Sequence, residues 1–140
     1  LFIGPKEERY SDKMKKILSH NKNIIELDMV NNHFDYLRIT DILLLPSYRE
    51  GFGSVVIDAA SMSVPSIGYN ISGLSDAIVD KKTGFLSLVG DINSYKNKIR
   101  MMLDNNKLRI EMGENAKTRA FKYFTSEKVI DYQLKFYRDL

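Results

Sequence analysis

The sequence predicts an α/β fold, a Rossmann-like parallel sheet with helices on both faces. Short apolar runs alternate along the chain with longer segments of helical periodicity, which is typical of parallel strands joined by helical crossovers. A glycine-rich turn after one of these runs fits the same architecture. Right-handed crossovers place such turns at one edge of the sheet, beyond the carboxyl ends of the strands, where ligands bind.

The predicted strands are short and apolar, and the run Ile42-Leu43-Leu44-Leu45 is the clearest of them. Strands are expected at residues 1–3, 24–27, 41–45, 65–69 and 84–86.

Helical signals fill the segments between and after the strands. Residues 6–20 place Met14, Ile17 and Leu18 on one side of a helix. Asn32, with Asp35 three residues on, has the spacing of an N-cap pairing for a short helix that ends near Arg38. The other helices are expected at residues 54–62, just after Gly73, and at residues 92–103, 108–121 and 126–137.

The composition excludes several classes of protein. With 140 residues, 44% hydrophobic and 28% charged, we expect a single domain, residues 1–140, of ordinary globular composition. The net charge is only +3 and the basic residues are scattered, so nucleic acid is not expected as a partner. The absence of cysteine excludes disulfides and thiolate metal sites, and no apolar run approaches the length of a membrane span.

A strand, a glycine turn and a helix start follow one another in residues 42–60. Gly51 and Gly53 lack a Cβ, so the backbone can approach a ligand closely there. The helix start presents unpaired N–H groups, which favour a phosphate. Glu50, at the end of the strand, can accept hydrogen bonds from sugar hydroxyls. The pattern therefore suits an anionic ligand that also carries sugar hydroxyls.

Asp58 lies five residues beyond Gly53, which is roughly 8 Å along a helix at about 1.5 Å per residue. It shares a helix face with Ser54 and Val55, so its carboxylate can accept from a ribose diol while the amides of residues 53–55 meet phosphates. A purely structural interpretation stays open. Every doubly wound protein has such turns, and an acid early in a helix compensates the helix dipole.

A longer pattern resembles a known family. It consists of Pro-Ser-x-x-Glu-Gly-Phe-Gly at residues 46–53, an acid eight residues after the Glu, Val64-Pro65 and Ser72-Gly73-Leu74. Together these segments resemble the C-terminal domain of retaining glycosyltransferases of the GT-B fold. The large group of bacterial mannosyl-, glucosyl- and N-acetylhexosaminyltransferases is the most similar, and the resemblance runs over essentially the whole chain.

The resemblance implies a metal-independent transferase domain that binds a nucleotide-diphosphate sugar as substrate and needs no separate cofactor. Glu50 is the implied catalytic residue, which orients the donor hexose, and Asp58 is the implied ribose ligand. For Ser72 and Gly73 a simple turn before a helix is an equal alternative. The implied donor-binding residues are Gly51, Phe52, Gly53, Ser54, Val55, Asp58, Ser72 and Gly73.

Three positions depart from the family pattern. Asp58 is one methylene shorter than the usual Glu, so the ribose contact requires a closer helix or a bridging water. Ser63 stands where the family usually has Gly, and it is strained by roughly 1 kcal/mol if that position needs a positive φ. Asp76 stands where a Glu is common.

The resemblance also implies further parts and partners. The family's phosphate-binding Arg and Lys and its N-terminal acceptor-binding domain have no counterpart here, so we expect a fragment that is inactive alone. The implied acceptor is a sugar or lipid-linked sugar, in cytoplasmic assembly of a bacterial capsule- or O-antigen-like polysaccharide. Residues 126–140 are expected to pack toward the facing domain. Their alternative is a peripheral contact with the inner face of the plasma membrane.

Two other functions stay open at this point. One is a non-catalytic subunit that binds a nucleotide sugar, and the other is a sugar-nucleotide epimerase or hydrolase on the same fold. A metal site is not expected, because the chain lacks an Asp-x-Asp pair and both His20 and His33 are isolated in the sequence.

Overall fold

The computed structural model describes residues 1–4 and 12–139, without the side chain of Lys13. Contacts group the chain into two compact units, Leu1–His33 and Phe34–Leu140. The first part of the helix predicted at residues 6–20 lies outside the described residues.

The described elements alternate between strand and helix as predicted. In order they are β1 (Phe2–Ile3), α1 (Asp12–His20), β2 (Glu26–Leu27), α2 (His33–Leu37), β3 (Leu43–Leu45), α3 (Ser54–Ser61), β4 (Ser66–Tyr69), α4 (Leu74–Ala77), β5 (Gly84–Ser87), α5 (Ile92–Asp104), α6 (Asn106–Tyr123) and α7 (Ser126–Arg138). Helix α6 begins two residues before the predicted start at Leu108. The cause is its cap, since the side chain of Asn105 accepts a hydrogen bond from the Leu108 amide at 3.0 Å.

All strand pairs are parallel, which confirms the α/β class. In the first unit β1 pairs with β2, with Phe2 opposite Glu26. In the second unit β3, β4 and β5 form a sheet in that order, with β4 in the middle. The described strands thus form two parallel sheets, one in each unit.

Helices cover both faces of the second sheet. On one face Ile67, Tyr69 and Phe85 pack with residues of α5 and α6, including Met102 and Met112. On the other face the sheet packs against α3 and α4, in a cluster centred on Val56, Leu74, Ala77 and Ile78. Alternate side chains of each strand thus point to opposite faces of the sheet. The central strand β4 is buried along its whole length.

The end of α3 confirms the expectation for Ser63. This residue takes a φ of 60°, the left-handed conformation that favours glycine. The Ser63 amide donates to the carbonyl of Ala60 at 3.0 Å, and the Val64 amide donates to that of Ala59 at 2.9 Å. These two bonds form a Schellman motif that closes the helix.

Helix α6 lies very close to this helix end. A Cβ at Gly113 would be 2.0 Å from the Ser63 carbonyl oxygen, so only glycine allows the approach. Further along α6, Ala116 and Ala120 pack against Ala60 of α3. Small residues therefore fix α6 firmly against α3.

Among the described helices, none is long and apolar enough to cross a bilayer.

Candidate functional site

The predicted site residues follow two neighbouring strands. Strand β3 ends at Leu45, which pairs with Gly68 of β4. The segment of residues 46–53 leaves the end of β3, and Ser72-Gly73 follows β4. Because the strands are parallel, both segments emerge at the same edge of the sheet. We call residues 50–53 the first turn and residues 72–73 the second turn.

Gly53 joins the first turn to α3. It is the N-cap of the helix, with φ 65° and ψ 48°. A Cβ at this position would lie 2.7 Å from Cδ2 of Leu74, the buried first residue of α4. The left-handed backbone favours glycine here, and the Leu74 side chain would have to shift to make room for a Cβ.

Gly73 brings the two turns together. Its φ is 87°, and a Cβ would lie 2.7 Å from the carbonyl oxygens of both Glu50 and Gly51. The backbone of the second turn therefore packs directly on the backbone of the first. This contact places Ser72 and Gly73 beside Glu50 and Gly51.

Gly51 leaves open space in front of the first turn. A Cβ built on Gly51 would meet no described heavy atom within 4 Å, and its φ lies outside the left-handed region. Neither packing nor backbone conformation thus demands glycine there. The Glu50 side chain beside it is half-buried, so its carboxylate keeps access to solvent.

Helix α3 begins immediately after the first turn. The opening residues of this helix are Ser54 and Val55, whose N–H groups point out of the helix N-terminus, whereas the Val56 amide donates to the Gly53 carbonyl at 2.8 Å. Asp58 lies four residues after Ser54 in the same helix and is half-buried. The structure therefore places Asp58 one helical turn from the N-terminus, as the sequence predicted.

Arg119, near the end of α6, was missed by sequence reasoning. Its Nη2 donates to the carbonyl oxygen of Asp76 in α4 at 2.7 Å. Its guanidinium carbon lies 5.1 Å from the ring centroid of Phe124 and 5.3 Å from that of Tyr123. These are cation–π distances. Arg119 and Asp76 are 43 residues apart, so no local sequence signal reveals the pair.

Phe124 extends this contact to the first turn. Its ring meets the ring of Phe52 edge-on, with centroids 5.4 Å apart. Phe52 was predicted to contact the donor, and the structure shows its side chain packed toward α6. Its backbone remains part of the first turn.

An open cavity of about 700 Å³ lies beside these aromatic residues. All described residues of its neighbour α7 are exposed. The lining residues come from the first turn, α4, α6 and its end, and α7: Phe52, Ser75, Asp76, Arg119, Tyr123, Phe124, Val129, Tyr132 and Gln133.

Tyr123, at the wall of this cavity, interacts with Lys122, whose ammonium lies 4.9 Å from the ring centroid. The hydrogen bond with Lys122, followed by its positive charge, lowers the pKa of Tyr123. The same hydrogen bond, followed by the charge of Tyr123, raises the pKa of Lys122. Within the described part of the chain, no three His, Asp or Glu residues are grouped so that they could hold a metal ion.

Comparisons with known proteins agree with this architecture. Residues 1–119 match the family model described as Glycosyl transferases group 1. The chain is 31% identical over 110 residues to the capsular polysaccharide biosynthesis glycosyltransferase CapM of Staphylococcus aureus, covering 79% of this chain and 29% of CapM. It is 30% identical over 125 residues to N-acetyl-alpha-D-glucosaminyl L-malate synthase of Bacillus anthracis, covering 89% of this chain and 33% of that enzyme.

Among solved structures, HepE of Anabaena in complex with UDP and glucose superposes with a TM-score of 0.88 at 16% identity. The match covers 99% of this chain and 40% of HepE. The chain spans about a third of the length of the two curated relatives, CapM and the L-malate synthase. The family match over most of the chain and the parallel sheets flanked by helices lead to one assignment. The chain belongs to the group 1 glycosyl transferases and has the architecture of their GT-B fold.

Proposed function

We propose that this chain is the donor-binding domain of a retaining, metal-independent glycosyltransferase that uses a nucleotide-diphosphate sugar. The observation that carries the proposal is the packing of Gly73 on the carbonyls of Glu50 and Gly51. This contact assembles a carboxylate, two turns and a helix N-terminus at the edge of the sheet where ligands bind.

Each part of the site suits one part of the donor. The Glu50 carboxylate accepts hydrogen bonds from hexose hydroxyls and orients the sugar. The N–H groups at the start of α3 meet the diphosphate, and Asp58 accepts from the ribose diol. The open space at Gly51 lets the sugar approach the backbone. Ser72 and Gly73 close the sugar pocket from the second turn.

The chemical contribution of this domain is electrostatic. Negative charge develops on the leaving diphosphate in the transition state, and the fixed N–H groups at residues 53–55 stabilise it without reorganisation. The acceptor-binding domain and further cations on the phosphates are parts that we propose for the whole enzyme. HepE, whose fold this chain shares, was solved with UDP and glucose, which supports a nucleotide sugar as ligand.

The proposed setting is the cytoplasmic assembly of a bacterial polysaccharide on a sugar or lipid-linked sugar acceptor. The similarity to CapM, a glycosyltransferase of capsular polysaccharide biosynthesis, supports this setting. Helix α7 carries Val129 and Tyr132 on the cavity wall. We propose that it packs toward the facing domain.

The test is donor binding and sugar transfer by the full-length protein. UDP-glucose, UDP-N-acetylglucosamine and GDP-mannose are titrated by calorimetry and then offered with lipid-linked acceptors in EDTA. Because a hydrogen bond to a charged group is worth about 1.5–3 kcal/mol, Glu50→Gln should lower kcat/KM about 10- to 150-fold. Glu111→Gln, at an exposed acid of α6, is the matched control and should leave transfer unchanged.

Three results would contradict parts of this proposal. Binding without transfer would favour a non-catalytic nucleotide-sugar-binding subunit. Activity that disappears in EDTA and returns with Mg²⁺ or Mn²⁺ would refute metal independence. Gly51→Ala tests the open space separately, because it should weaken donor binding while the unfolding free energy stays unchanged. Unaltered donor affinity in Gly51→Ala would remove that residue from the sugar pocket.

A further inference from the structure

We infer that Arg119 is a positioning residue for the sugar half of the donor, acting through the two turns rather than by touching the donor. The inference rests on the proposed function and extends it to a residue outside the sequence motif. It starts from one arrangement: the guanidinium of Arg119 and the ring of Phe124 connect the end of α6 to both turns.

The connection to the second turn is polar. Arg119 donates to the carbonyl of Asp76, in the four-residue helix α4 that Gly73 N-caps. The last carbonyls of a helix lack partners within the helix, so an external donor is needed to hold them. A guanidinium is suited to this because its donors have fixed directions.

The connection to the first turn is aromatic. Phe124 lies under the guanidinium and meets Phe52 edge-on. Arg119 thus holds Asp76, which lies three residues beyond Gly73. Phe124 contacts Phe52, which lies one residue beyond Gly51. Movement of either turn must therefore disturb a contact with the end of α6.

Helix α6 is a firm support for this role. Gly113, Ala116 and Ala120 fit closely against the end of α3. The two turns also depend on exact spacing, because Gly73 already touches the carbonyls of Glu50 and Gly51. A small outward shift of α4 would widen the sugar pocket, while the packing of Gly113, Ala116 and Ala120 keeps α3 attached to α6.

Because α6 contacts the two turns and α3 through different residues, loss of Arg119 should affect the two parts of the donor differently. The nucleotide part of the donor uses the start of α3 and Asp58, and α6 holds that helix at its other end, through Gly113, Ala116 and Ala120 rather than through Arg119. The hexose needs both turns. Loss of Arg119 should therefore weaken binding of a nucleotide sugar and spare binding of the corresponding nucleoside diphosphate.

The experiment measures dissociation constants with the full-length protein. UDP-glucose, UDP-N-acetylglucosamine and GDP-mannose are each compared with UDP or GDP, and the compound that wild type binds most tightly is used for the variants. In Arg119→Met the nucleotide-sugar affinity should fall about tenfold, while the diphosphate affinity changes less than twofold. Arg119→Lys should resemble Arg119→Met, because an ammonium cannot reproduce the stacked, planar donor.

Arg109→Met is the matched control. Arg109 lies in the same helix and donates to the carbonyl of Met102 at 2.9 Å, and it also contacts the side chains of Asn106 and Asp41. Its loss therefore costs at least a comparable Arg–carbonyl bond at a distance from the turns. It should leave the ratio of the two affinities unchanged. If Arg119→Met does not fold, Phe124→Leu removes the aromatic face alone and should show the same selectivity with a smaller loss.

Equal losses for nucleotide sugar and diphosphate, or no loss for either, would overturn the inference while the proposed function stands. The same change of ratio in Arg109→Met would also overturn it. A wild-type protein that binds neither class of compound would overturn the proposed function and this inference with it.

Discussion

Gly73 packs on Glu50 so closely that a Cβ at residue 73 would lie 2.7 Å from the Glu50 carbonyl oxygen. The two residues are 23 positions apart, yet this contact determines the spacing between the two turns. The segment that carries the motif at Glu50 therefore packs directly against the second turn.

Replacing Gly73 by alanine should separate the turns. The change combines a φ of 87°, which L residues rarely adopt, with a backbone clash at two carbonyls. Strained backbone of this kind costs of order 1–3 kcal/mol, and the clash adds to it. We expect a lower unfolding free energy in urea and a loss of nucleotide-sugar binding.

Gly90→Ala is the matched control for this prediction. Gly90 has a similar φ of 81°, but a Cβ there meets no described heavy atom within 4 Å. It should show the strain without the loss of ligand. Equal behaviour of the two variants would mean that the contact between Gly73 and the first turn has no role in binding.

Ser63→Gly should make the chain more stable. The residue sits at φ 60° in the Schellman motif that ends α3. Glycine relieves a left-handed strain of roughly 1 kcal/mol. Part of that gain is lost because glycine gives the unfolded chain more conformational entropy. The expected net gain is up to about 1 kcal/mol in denaturant unfolding.

Ser61→Gly checks the conformational basis of this gain. Ser61 is the last residue of α3, and its hydroxyl donates to the carbonyl of Asp58 at 2.6 Å, so glycine should cost roughly 1 kcal/mol there through lost helix propensity and the lost hydrogen bond. Opposite signs for the same substitution would support the explanation. A loss of stability in Ser63→Gly would show that the serine side chain contributes more than its backbone strain costs.

Tyr95 should make the stability of this chain fall at alkaline pH. Its hydroxyl donates to the carbonyl of Ile67 at 2.8 Å inside the core. Burial, and next the neighbouring Tyr69, raise the pKa of Tyr95 above its ordinary value. Above about pH 10 an unfolded tyrosine loses its proton while the native one keeps it, so the native state is progressively disfavoured.

Tyr95→Phe tests this sign. Near pH 8 the variant should be less stable by about 1 kcal/mol, the worth of one hydrogen bond. As the pH rises from 9.5 to 11, the difference in unfolding free energy between wild type and variant should narrow, because only wild type carries an ionisable hydroxyl at residue 95. Tyr123 and Lys122 titrate in both proteins and cancel in the difference. A constant gap across this range, measured by urea unfolding, would contradict the assignment.

The sequence predicted the parts of the fold and site that depend on local pattern. The strand before Glu50 and the helix after Gly53 follow from neighbouring residues, whereas the left-handed Ser63 was suggested only by the family resemblance. The contact of Gly73 with Glu50, and that of Arg119 with Asp76, depend on how separate elements pack. Neither has a periodicity or spacing that a single sequence reveals, since the partners are 23 and 43 residues apart.

Element boundaries show the same limit at a smaller scale. The predicted start of α6 at Leu108 followed the apolar pattern, whereas the observed start at Asn106 follows the cap made by Asn105. An Asn in a run of two is an ambiguous cap signal, because either residue can serve. The division of the strands into two sheets reflects pairing between strands, which the alternation of elements does not specify.

The last prediction concerns Asp58, which should contribute to donor binding more than to the chemical step. It lies one turn into α3, whereas the proposed function puts the reacting carbon of the sugar beside Glu50 in the first turn. A ribose contact is made equally in the ground state and the transition state, so its removal raises KM with little change in kcat. At about 1.5–3 kcal/mol for a charge-assisted hydrogen bond, Asp58→Ala should raise the donor KM about 10- to 150-fold.

Asp58→Glu is the informative companion in the full-length enzyme. It restores the carboxylate length that the family pattern usually has, so donor binding should be retained or improved. Steady-state kinetics at saturating acceptor separates the two parameters. A large fall in kcat for Asp58→Ala at saturating donor would show that the carboxylate acts in the chemical step. Weaker binding in Asp58→Glu would show that α3 already lies too close to the ribose for a longer side chain.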